Sequence, residues 1–289
     1  MRIILTGCDG QVGKFLSKKL NNMADILALS RHDLDITNEL MVHKIVEDFK
    51  PDFIINAAAY TAVDNAESEQ EKAYEINRDG PLYLAKAAQD INATLIHIST
   101  DYVFAGDKDG VYSESDATSP QSVYGASKLA GEQAIIDHCE KYIILRTAWV
   151  FGETGHNFVK TMLRLAGDRD KLNIVDDQFG GPTYAGDIAD AIILIVKKIN
   201  HNDVVNWGVF HFSGQPYVSW FEFAKSIFEQ AELQNYRQHI ELSPITTAQF
   251  PTPAKRPANS KLECSKIKQE FCISPSHWQS AIRNLIGYI

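Results

Sequence analysis

A tyrosine and a lysine lie four residues apart in the segment YGASK, at Tyr124 and Lys128. Residues with this spacing share one face of a helix, so both side chains would project together if the segment is helical. A cationic lysine stabilises a nearby phenolate, and a tyrosine whose pKa is lowered in this way exchanges protons with a carbonyl or alcohol oxygen near neutral pH. The spacing alone also arises by chance, so its meaning depends on what precedes it in the chain.

A hydroxyl side chain comes before this pair, at the end of a predicted strand. The run TLIHIST (94–100) ends in Ser99 and Thr100, and Asp101 follows. Successive strand residues point to opposite faces of a sheet, so only one of the two hydroxyls can face a bound ligand. We predict that Thr100 holds the oxygen that Tyr124 protonates, while a nicotinamide carries the hydride. The structural alternatives are a strand cap at Thr100, an ordinary helix start at Tyr124 and a solvated lysine at Lys128.

A glycine-rich segment, GCDGQVG (7–13), follows the first predicted strand and opens the first predicted helix. Gly7 permits a tight turn, and Gly10 lets a pyrophosphate approach the backbone N–H groups at the helix N-terminus. Gly13 lets the helix pack closely on the sheet. The G-x-x-G-x-x-G spacing differs from the G-x-G-x-x-G fingerprint of many dehydrogenases, but its position predicts a dinucleotide site. The alternative is a plain turn between a strand and a helix.

The end of the second strand decides which ribose such a site accepts. An acidic residue there would bind a 2′-hydroxyl group, whereas a basic residue accommodates a 2′-phosphate. This chain has Ser30 and Arg31, which predicts NADPH, with NADH also possible, unless Arg31 is simply a solvated arginine. The other residues predicted to line the dinucleotide are Asp35, Ile36, Ala57, Ala58, Ala59, Tyr60 and Thr61.

Short, continuously apolar runs alternate with helical patterns through the first half of the chain, as for strands that are buried on both faces. This alternation predicts an α/β fold, a Rossmann-type doubly wound parallel sheet with a smaller C-terminal substrate-binding lobe. One further strand is expected at 171–178. We assign residues 1–152 with 171–200 to the dinucleotide-binding domain, and residues 153–170 with 201–289 to the lobe.

The composition limits the remaining possibilities. The chain has 289 residues and a formal net charge of -9, which argues against nucleic acid as a partner. The four cysteines show no C-x-x-C pair, so neither a disulfide framework nor a zinc site is indicated. The apolar run Ile3 to Leu5 is too short for a signal peptide, and no run is long enough to cross a membrane. We expect a cytoplasmic protein that binds no metal.

Several longer segments carry a resemblance to a known family. They are NAAAYTAVDNAESE (56–69), STDYVFAG (99–106), VYGASKLAGE (123–132), RTAWVFG (146–152), NFVKTM (157–162), DQFGGPT (177–183) and PTPAKRPANSKL (251–262). Together with the glycine loop, they resemble the dTDP-4-dehydrorhamnose reductases of the extended short-chain dehydrogenase/reductase family. The resemblance runs from residue 2 to about residue 280.

The resemblance implies reduction of the C4 ketone of a dTDP-linked 6-deoxyhexulose, giving dTDP-L-rhamnose. It assigns Thr100 and Tyr124 to the C4 oxygen, and it assigns Lys128 to the nicotinamide ribose and to tuning Tyr124. Tyr124 and Lys128 are both counted among the cofactor-binding residues as well. Asp101 and Trp149 would contact the sugar, although Trp149 could equally be a core residue. The residues assigned to the cofactor diphosphate are Gly10, Gln11 and Val12.

Our reading of the residues adds Arg256, in the proline-rich segment 250–262, as a partner of the substrate diphosphate. Arginine binds such groups through two parallel hydrogen bonds. The alternative is a structural salt bridge.

Two departures from the family pattern affect the expectations. Some members have an acidic residue where this chain has Ser30 and Arg31, and those members accept NADH. Some members also bind magnesium between subunits through glutamates, one of which corresponds to Phe15 here. A homodimer therefore stays possible, whereas that metal-bridged contact is in doubt.

Related functions remain open from the sequence. Another dTDP-4-ketosugar reductase, such as one making a dihydrostreptose-like sugar, would share all of these motifs. Sugar-nucleotide dehydratases need a glutamate where this chain has Tyr102, and epimerases retain and reoxidise their own cofactor. A non-catalytic NADP-binding regulatory subunit of a methionine adenosyltransferase also has this fold, but the presence of Thr100, Tyr124 and Lys128 together favours an enzyme.

Overall fold

The structure is a computed structural model, and it describes residues 1–201, 204–236 and 240–288. The strands are β1 (Arg2–Thr6), β2 (Asp25–Leu29), β3 (Phe53–Asn56), β4 (Thr94–Thr100), β5 (Tyr142–Thr147), β6 (Val150–Phe151), β7 (Lys171–Val175), β8 (Phe179–Gly180), β9 (Thr183–Tyr184), β10 (Gly208–His211), β11 (Val218–Ser219), β12 (Glu241–Ile245) and β13 (Asn259–Ser260). The α-helices are α1 (Gln11–Leu20), α2 (Glu39–Phe49), α3 (Val63–Ala66), α4 (Gln70–Tyr74), α5 (Gly80–Asp90), α6 (Val123–His138), α7 (Phe158–Leu165), α8 (Ala185–Asn200), α9 (Trp220–Leu233), α10 (Ser265–Phe271) and α11 (Trp278–Ala281).

Six of these strands form one parallel sheet in the order β10-β5-β4-β3-β1-β2. Its central strands are almost wholly buried, because α1 and α8 cover one face while α2 and α5 cover the other. This explains why their sequences are apolar throughout rather than alternating. The predicted doubly wound parallel sheet is confirmed.

The order of the sheet locates the place for a ligand. The chain moves outward from β1 to β2 and then returns to β3 on the other side of β1. Ligands of open α/β sheets bind in the crevice at such a reversal, outside the carboxyl ends of the strands. Thr6, Asn56 and Thr100 end β1, β3 and β4, so they lie at that edge.

A second apolar core lies around α7, α9 and α11, with the side chains of Phe151, Phe223 and Trp278 at its centre. Two strands pack in a different part of the fold from the one that the predicted domain boundaries imply. The expected strand at 171–178 forms as β7, but it pairs with β12 and packs in this second core. The sixth strand of the main sheet is instead β10, from the range that we assigned to the lobe. The interleaved division into two lobes stays a prediction.

One predicted helix differs in a way that matters for the site. The pattern predicts a single helix over 67–89, whereas the structure has α4, a π-helical segment at Glu75–Asp79, and then α5. π-Helical turns within helices often accompany functional sites. Here the turn carries Asn77, which is buried and bonds to both the backbone N–H and the carbonyl of Tyr60. The irregular turn therefore connects this helical segment, through Asn77, to the backbone of Tyr60 beside the ligand edge.

Within the described ranges, no helix combines the length and the apolar character that crossing a bilayer requires.

Candidate active site

The catalytic candidates meet where β4 ends and α6 begins. Ser122 caps α6 by accepting from the backbone N–H of Gly125 at 3.2 Å, which places Tyr124 in the first turn. The Thr100 hydroxyl donates to Asp101 Oδ1 at 3.1 Å and accepts from the backbone N–H of Tyr102 at 3.2 Å. The expectation that only one of two adjacent hydroxyls faces this edge is confirmed, because Ser99 instead donates to Glu132 in the interior.

The expected lowering of the Tyr124 pKa by Lys128 is not found, and we correct it here. Burial raises the pKa of Tyr124, the charge of Asp101 and the neighbouring Tyr102 add to the rise, and the Thr100 hydroxyl opposes it. Lys128 is not among the groups that act on this pKa, because its Nζ is turned toward β4, where it lies 3.0 Å from His97 Nε2 and 2.7 Å from the carbonyl of Ile98. Tyr124 is therefore protonated in this arrangement, and it becomes a stronger acid only if a cation approaches its hydroxyl.

Asp101 is the acidic group nearest to these hydroxyls. Its side chain is buried, and burial raises its pKa to about 6, although hydrogen bonds to Ser260 and Thr100 oppose the rise. Among the described residues Asp101 Oδ2 has no hydrogen-bond partner. A buried carboxylate oxygen without a partner is costly, so a sugar hydroxyl donated to it would be bound strongly. This supports the predicted contact between Asp101 and the sugar.

We predict that Asp101→Asn stabilises the protein at neutral pH. The folded pKa of about 6 lies above the ordinary value of 3.8, so the carboxyl group contributes stability below about pH 4 that is lost as the pH rises through 6. The amide carries no charge, and the free energy of unfolding at pH 7 should rise by at most about 3 kcal/mol. Urea unfolding at pH 4 and pH 7 would measure this, with the exposed Asp107→Asn as control. An equal pH dependence in the wild type and Asp101→Asn would contradict it.

The glycine loop has the geometry that its spacing predicts. Gly7 has φ +70°, and a Cβ there would lie 2.6 Å from the backbone nitrogen of Ala58. A Cβ on Gly13 would lie 2.1 Å from the carbonyl oxygen of Gly7, so α1 approaches the loop too closely for a side chain. Gly10 has more room, and it precedes the first turn of α1 without any side-chain cap. The N–H groups of that turn are therefore available to an anion.

Beside this loop lies a cavity of about 430 Å³. The predicted cofactor residues that line it are Gly7, Gly10, Ser30, Arg31, Asp35, Ile36, Ala57, Ala58, Ala59, Tyr60 and Thr61. Gln11 and Val12 are not part of the lining: the Gln11 side chain accepts a hydrogen bond from Asn157 at 3.0 Å, and Val12 packs in the main core. Val12 can therefore contact a diphosphate only through its backbone N–H, whereas Gln11 also keeps the NH2 group of its side chain as a donor.

Two basic side chains, Arg31 and Lys72, line the cavity. Lys72 is hydrogen-bonded to Glu69, which raises the pKa of Lys72, and the charge of Arg31 opposes the rise. Ser30 is already engaged, because its hydroxyl donates to Asp33 at 2.6 Å. Arginine and lysine together suit a phosphate group better than a neutral ribose hydroxyl. Lys72 was missed from the sequence because nothing in its local pattern indicates that α4 faces the end of β2.

Trp149 packs against a small apolar cluster around Phe104 and Tyr112, and its backbone conformation is unusual. Its φ is +49°, in the left-handed region, and its ring stacks on Trp220 with the ring centroids 3.5 Å apart. The indole also covers Gly180, where a Cβ would lie only 2.6 Å from the ring. A bulky residue with positive φ is strained, and such strain often accompanies ligand sites. Trp149 stays a predicted sugar contact, and Trp220 was not foreseen.

Arg256 reaches the cleft from the proline-rich segment but already has partners. Its Nη2 lies 2.6 Å from Asp64 Oδ2, and its Nη1 donates to the hydroxyl of Tyr102 at 3.0 Å. The alternative of a salt bridge is therefore present in this structure. The guanidinium group keeps further N–H donors, so its role toward a substrate diphosphate stays a prediction.

Sequence reasoning missed the buried residues that hold the candidates in place. Asn77 donates to the Ser127 hydroxyl at 3.0 Å, which joins the loop of Tyr60 to α6. Glu132, one turn after Lys128, pairs with Arg146 of β5 at 2.6 Å. No motif marks these residues, and only the tertiary fold brings them together.

Among the residues that the structure describes, no group of three or more histidine, cysteine, aspartate or glutamate side chains could hold a metal ion. Phe15, which stands where some relatives of the resembled family have a glutamate, packs edge-on against Tyr184 with the ring centroids 5.4 Å apart.

Comparisons with known proteins agree with this geometry. The family model described as the RmlD substrate binding domain matches residues 1–288. A protein of Aggregatibacter actinomycetemcomitans named dTDP-4-dehydrorhamnose reductase is 52% identical over 290 residues, covering 99% of each chain. The structure of a dTDP-4-dehydrorhamnose reductase from Bacillus anthracis in complex with NADP is 40% identical and superposes with a TM-score of 0.89, covering 97% of this chain and 96% of that one.

A more distant structure shows the fold alone. A UDP-glucose 4-epimerase from Thermus thermophilus, in complex with NAD, is 20% identical with a TM-score of 0.79, covering 98% of this chain and 97% of that one. The family model, the curated relative and the NADP-bound structure described above each match nearly the whole length of this chain. The chain belongs to the RmlD substrate binding domain family.

Proposed function

We propose that this protein is an NADPH-dependent oxidoreductase that reduces the C4 ketone of dTDP-4-dehydro-6-deoxy-L-mannose (dTDP-4-dehydrorhamnose) to dTDP-L-rhamnose. The observation that carries the proposal is the meeting of Thr100, Asp101 and Tyr124 at the carboxyl edge of β4, in the same sheet edge as the glycine loop. High identity to proteins named for this reaction supports the choice of substrate.

The chain's own residues would bind and orient the sugar and would protonate its C4 oxygen. Thr100 is placed to donate to the C4 oxygen once its hydroxyl turns from Asp101, and Tyr124 supplies the proton that completes the alcohol. Burial keeps Tyr124 protonated until negative charge develops on that oxygen. NADPH, when bound, supplies the hydride. Lys128 lies one helical turn from Tyr124, where the resemblance places the ribose of the nicotinamide.

The residues present fit this cofactor. The adenosine half would occupy the cavity of about 430 Å³, with its 2′-phosphate near Arg31 and Lys72. The diphosphate would lie against the N-terminus of α1, where Gly10 leaves room for it. The substrate would lie on the other side of Tyr124, bounded by Asp101, Trp149 and Arg256.

We expect Arg31→Ala to weaken NADPH binding more than NADH binding. Hydrogen bonds to a charged group contribute about 1.5–3 kcal/mol, so the NADPH dissociation constant should rise about 10-fold to 100-fold. NADH lacks the 2′-phosphate, and its affinity should change little. Fluorescence titration of both cofactors would measure this, with Arg78→Ala as a matched control because Arg78 pairs with Asp79 elsewhere. An equal effect on both cofactors would contradict the assignment.

The proposed reaction is tested with the purified chain, NADPH and dTDP-4-keto-6-deoxyglucose, with and without the 3,5-epimerase that converts this sugar to the expected substrate. Oxidation of NADPH that requires the epimerase and yields dTDP-L-rhamnose supports the proposal. Oxidation with a different sugar product would favour another dTDP-4-ketosugar reductase, such as one making a dihydrostreptose-like sugar. NADPH binding without any oxidation would favour a regulatory subunit.

The finer points on partners are also proposals. The net charge of -9 supports a cytoplasmic enzyme that binds neither nucleic acid nor a membrane surface. A homodimer is compatible with the fold, and the apolar contact of Phe15 with Tyr184 makes a glutamate-bridged metal at that position unsuited to this chain.

A further inference from the structure

A chain of buried polar side chains runs beneath the candidate active site. The Thr6 hydroxyl bonds to Asn56 Oδ1 at 2.7 Å, and Asn56 Nδ2 lies 3.0 Å from His97 Nδ1. The other ring nitrogen, His97 Nε2, lies 3.0 Å from Lys128 Nζ. All four residues are almost fully buried. The chain therefore connects the carboxyl ends of β1 and β3 to the catalytic helix through β4.

The direction of each hydrogen bond follows from its fixed members. The backbone N–H of Ala58 can only donate, and its nitrogen lies 3.1 Å from the side-chain atom assigned as Asn56 Oδ1. That contact fixes which end of the amide is oxygen, so the amide nitrogen faces His97. An amide nitrogen only donates, and His97 Nδ1 must therefore accept.

The other ring nitrogen then has to carry the proton. A neutral imidazole has one protonated and one bare nitrogen, so with Nδ1 bare, His97 Nε2 is an N–H group. It points at Lys128 Nζ, and a protonated ammonium has no lone pair to accept this hydrogen bond. A neutral amine does, and it still donates to the carbonyl of Ile98 at 2.7 Å.

We propose that His97, with its tautomer fixed by Asn56, is a positioning residue that holds Lys128 as a neutral amine against β4, so that Lys128 becomes cationic only by leaving this contact. The inference deepens the proposed function and rests on it only for its catalytic consequence. A lysine held in this way is kept from Tyr124 until it takes up a proton, whereas a charged lysine is released toward the cofactor ribose.

Burial acts in the same direction as the His97 contact but is not sufficient by itself. It lowers the pKa of Lys128 to about 8, with Glu132 on the same helix opposing the shift, so the neutral form at pH 7 depends on the N–H group of His97. That carboxylate is already shared with Arg146 of β5. Asp101 and Tyr102 lie in the turn after β4, and they raise the pKa of Tyr124. Burial lowers the pKa of His97 well below its ordinary value, so the imidazole stays neutral.

The tautomer is tested directly on the ligand-free wild-type protein. Long-range ¹H–¹⁵N spectra of the imidazole side chains should show His97 with a protonated Nε2 and a bare Nδ1, and the resonance is assigned by its loss in His97→Gln. A protonated Nδ1, or a charged imidazolium at pH 7, would overturn the proposal. Because this measurement needs no turnover, a failed assay of the proposed reaction would leave its result intact.

The effect on Lys128 is tested by following the ¹³Cε shift of labelled lysine with pH, assigned by its loss in Lys128→Met. In His97→Gln the amide can present an oxygen to an ammonium group, so the Lys128 pKa should rise by about one unit or more. The alkaline limb of the kcat/KM profile should move by the same amount. His138→Gln, at the exposed end of the same helix, should change neither. An unchanged Lys128 pKa in a folded His97→Gln would reduce His97 to a space-filling role and overturn the proposal.

Discussion

Replacing Tyr124 by phenylalanine is expected to lower turnover by about 10²- to 10⁴-fold, while NADPH affinity and the free energy of unfolding change little. The ring would keep its edge contact with Tyr102, whose ring centroid lies 5.4 Å away. Only the hydroxyl is lost, and with it the proton that completes the alcohol at C4. The loss should appear in kcat rather than in KM, because a group needed only in the transition state adds little to substrate binding.

The matched control is Tyr83→Phe, which removes a hydroxyl from a partly buried tyrosine on α5, outside the candidate site. Steady-state NADPH oxidation and fluorescence titration of NADPH would be measured on both variants. Full turnover in Tyr124→Phe would remove this residue from the mechanism. A large loss of NADPH affinity would instead make Tyr124 a cofactor-binding residue.

Replacing Arg146 by methionine is expected to lower the free energy of unfolding by about 3–5 kcal/mol. Arg146 and Glu132 are both almost fully buried and form a bidentate pair, with Nε and Nη2 at 2.9 Å and 2.6 Å from the two carboxylate oxygens. The substitution leaves the Glu132 carboxylate buried with only Ser99 as a donor. The cost arises from that unpaired charge more than from the lost attraction.

The double variant Arg146→Met, Glu132→Met separates these two contributions. Because it removes both charges, its stability in urea unfolding should lie much closer to the wild type than that of Arg146→Met alone. The exposed pair of Lys171 and Glu241 has the same 2.6 Å separation, and Lys171→Met should cost less than about 1 kcal/mol. A double variant whose loss equals the sum of the two single losses would contradict this account.

The parts of the site that could be predicted from the sequence are those set by local geometry. The glycine spacing predicts the tight turn at Gly7 and the close packing of α1 at Gly13, since each depends on residues only a few positions apart. Tyr124 and Lys128 are four apart on one helix, and the alternation of Ser99 and Thr100 follows from the pleat of a strand. Eleven of the predicted cofactor residues, at the ends of β1, β2 and β3, line one cavity in the structure, and their contact with a dinucleotide stays a prediction.

The parts that could not be predicted depend on distant segments. His97 and Asn56 read as ordinary strand residues, and their pairing emerges only when β3 and β4 lie side by side. The direction of Lys128 depends on that pairing, which is why the expected lowering of the Tyr124 pKa was wrong for this structure. The strand partners are a further example, because only long-range packing shows that β7 pairs with β12 and that β10 pairs with β5.

Hydride transfer to C4 of a dTDP-linked ketosugar can be followed with a deuterium label on the cofactor. NADPH would be prepared with deuterium at either of the two hydrogens of nicotinamide C4 and incubated with the enzyme, the epimerase and dTDP-4-keto-6-deoxyglucose. We expect one deuterium at C4 of dTDP-L-rhamnose from one of the two labelled cofactors and none from the other. Deuterium at another sugar carbon, or a reduced sugar without deuterium from either cofactor, would contradict it.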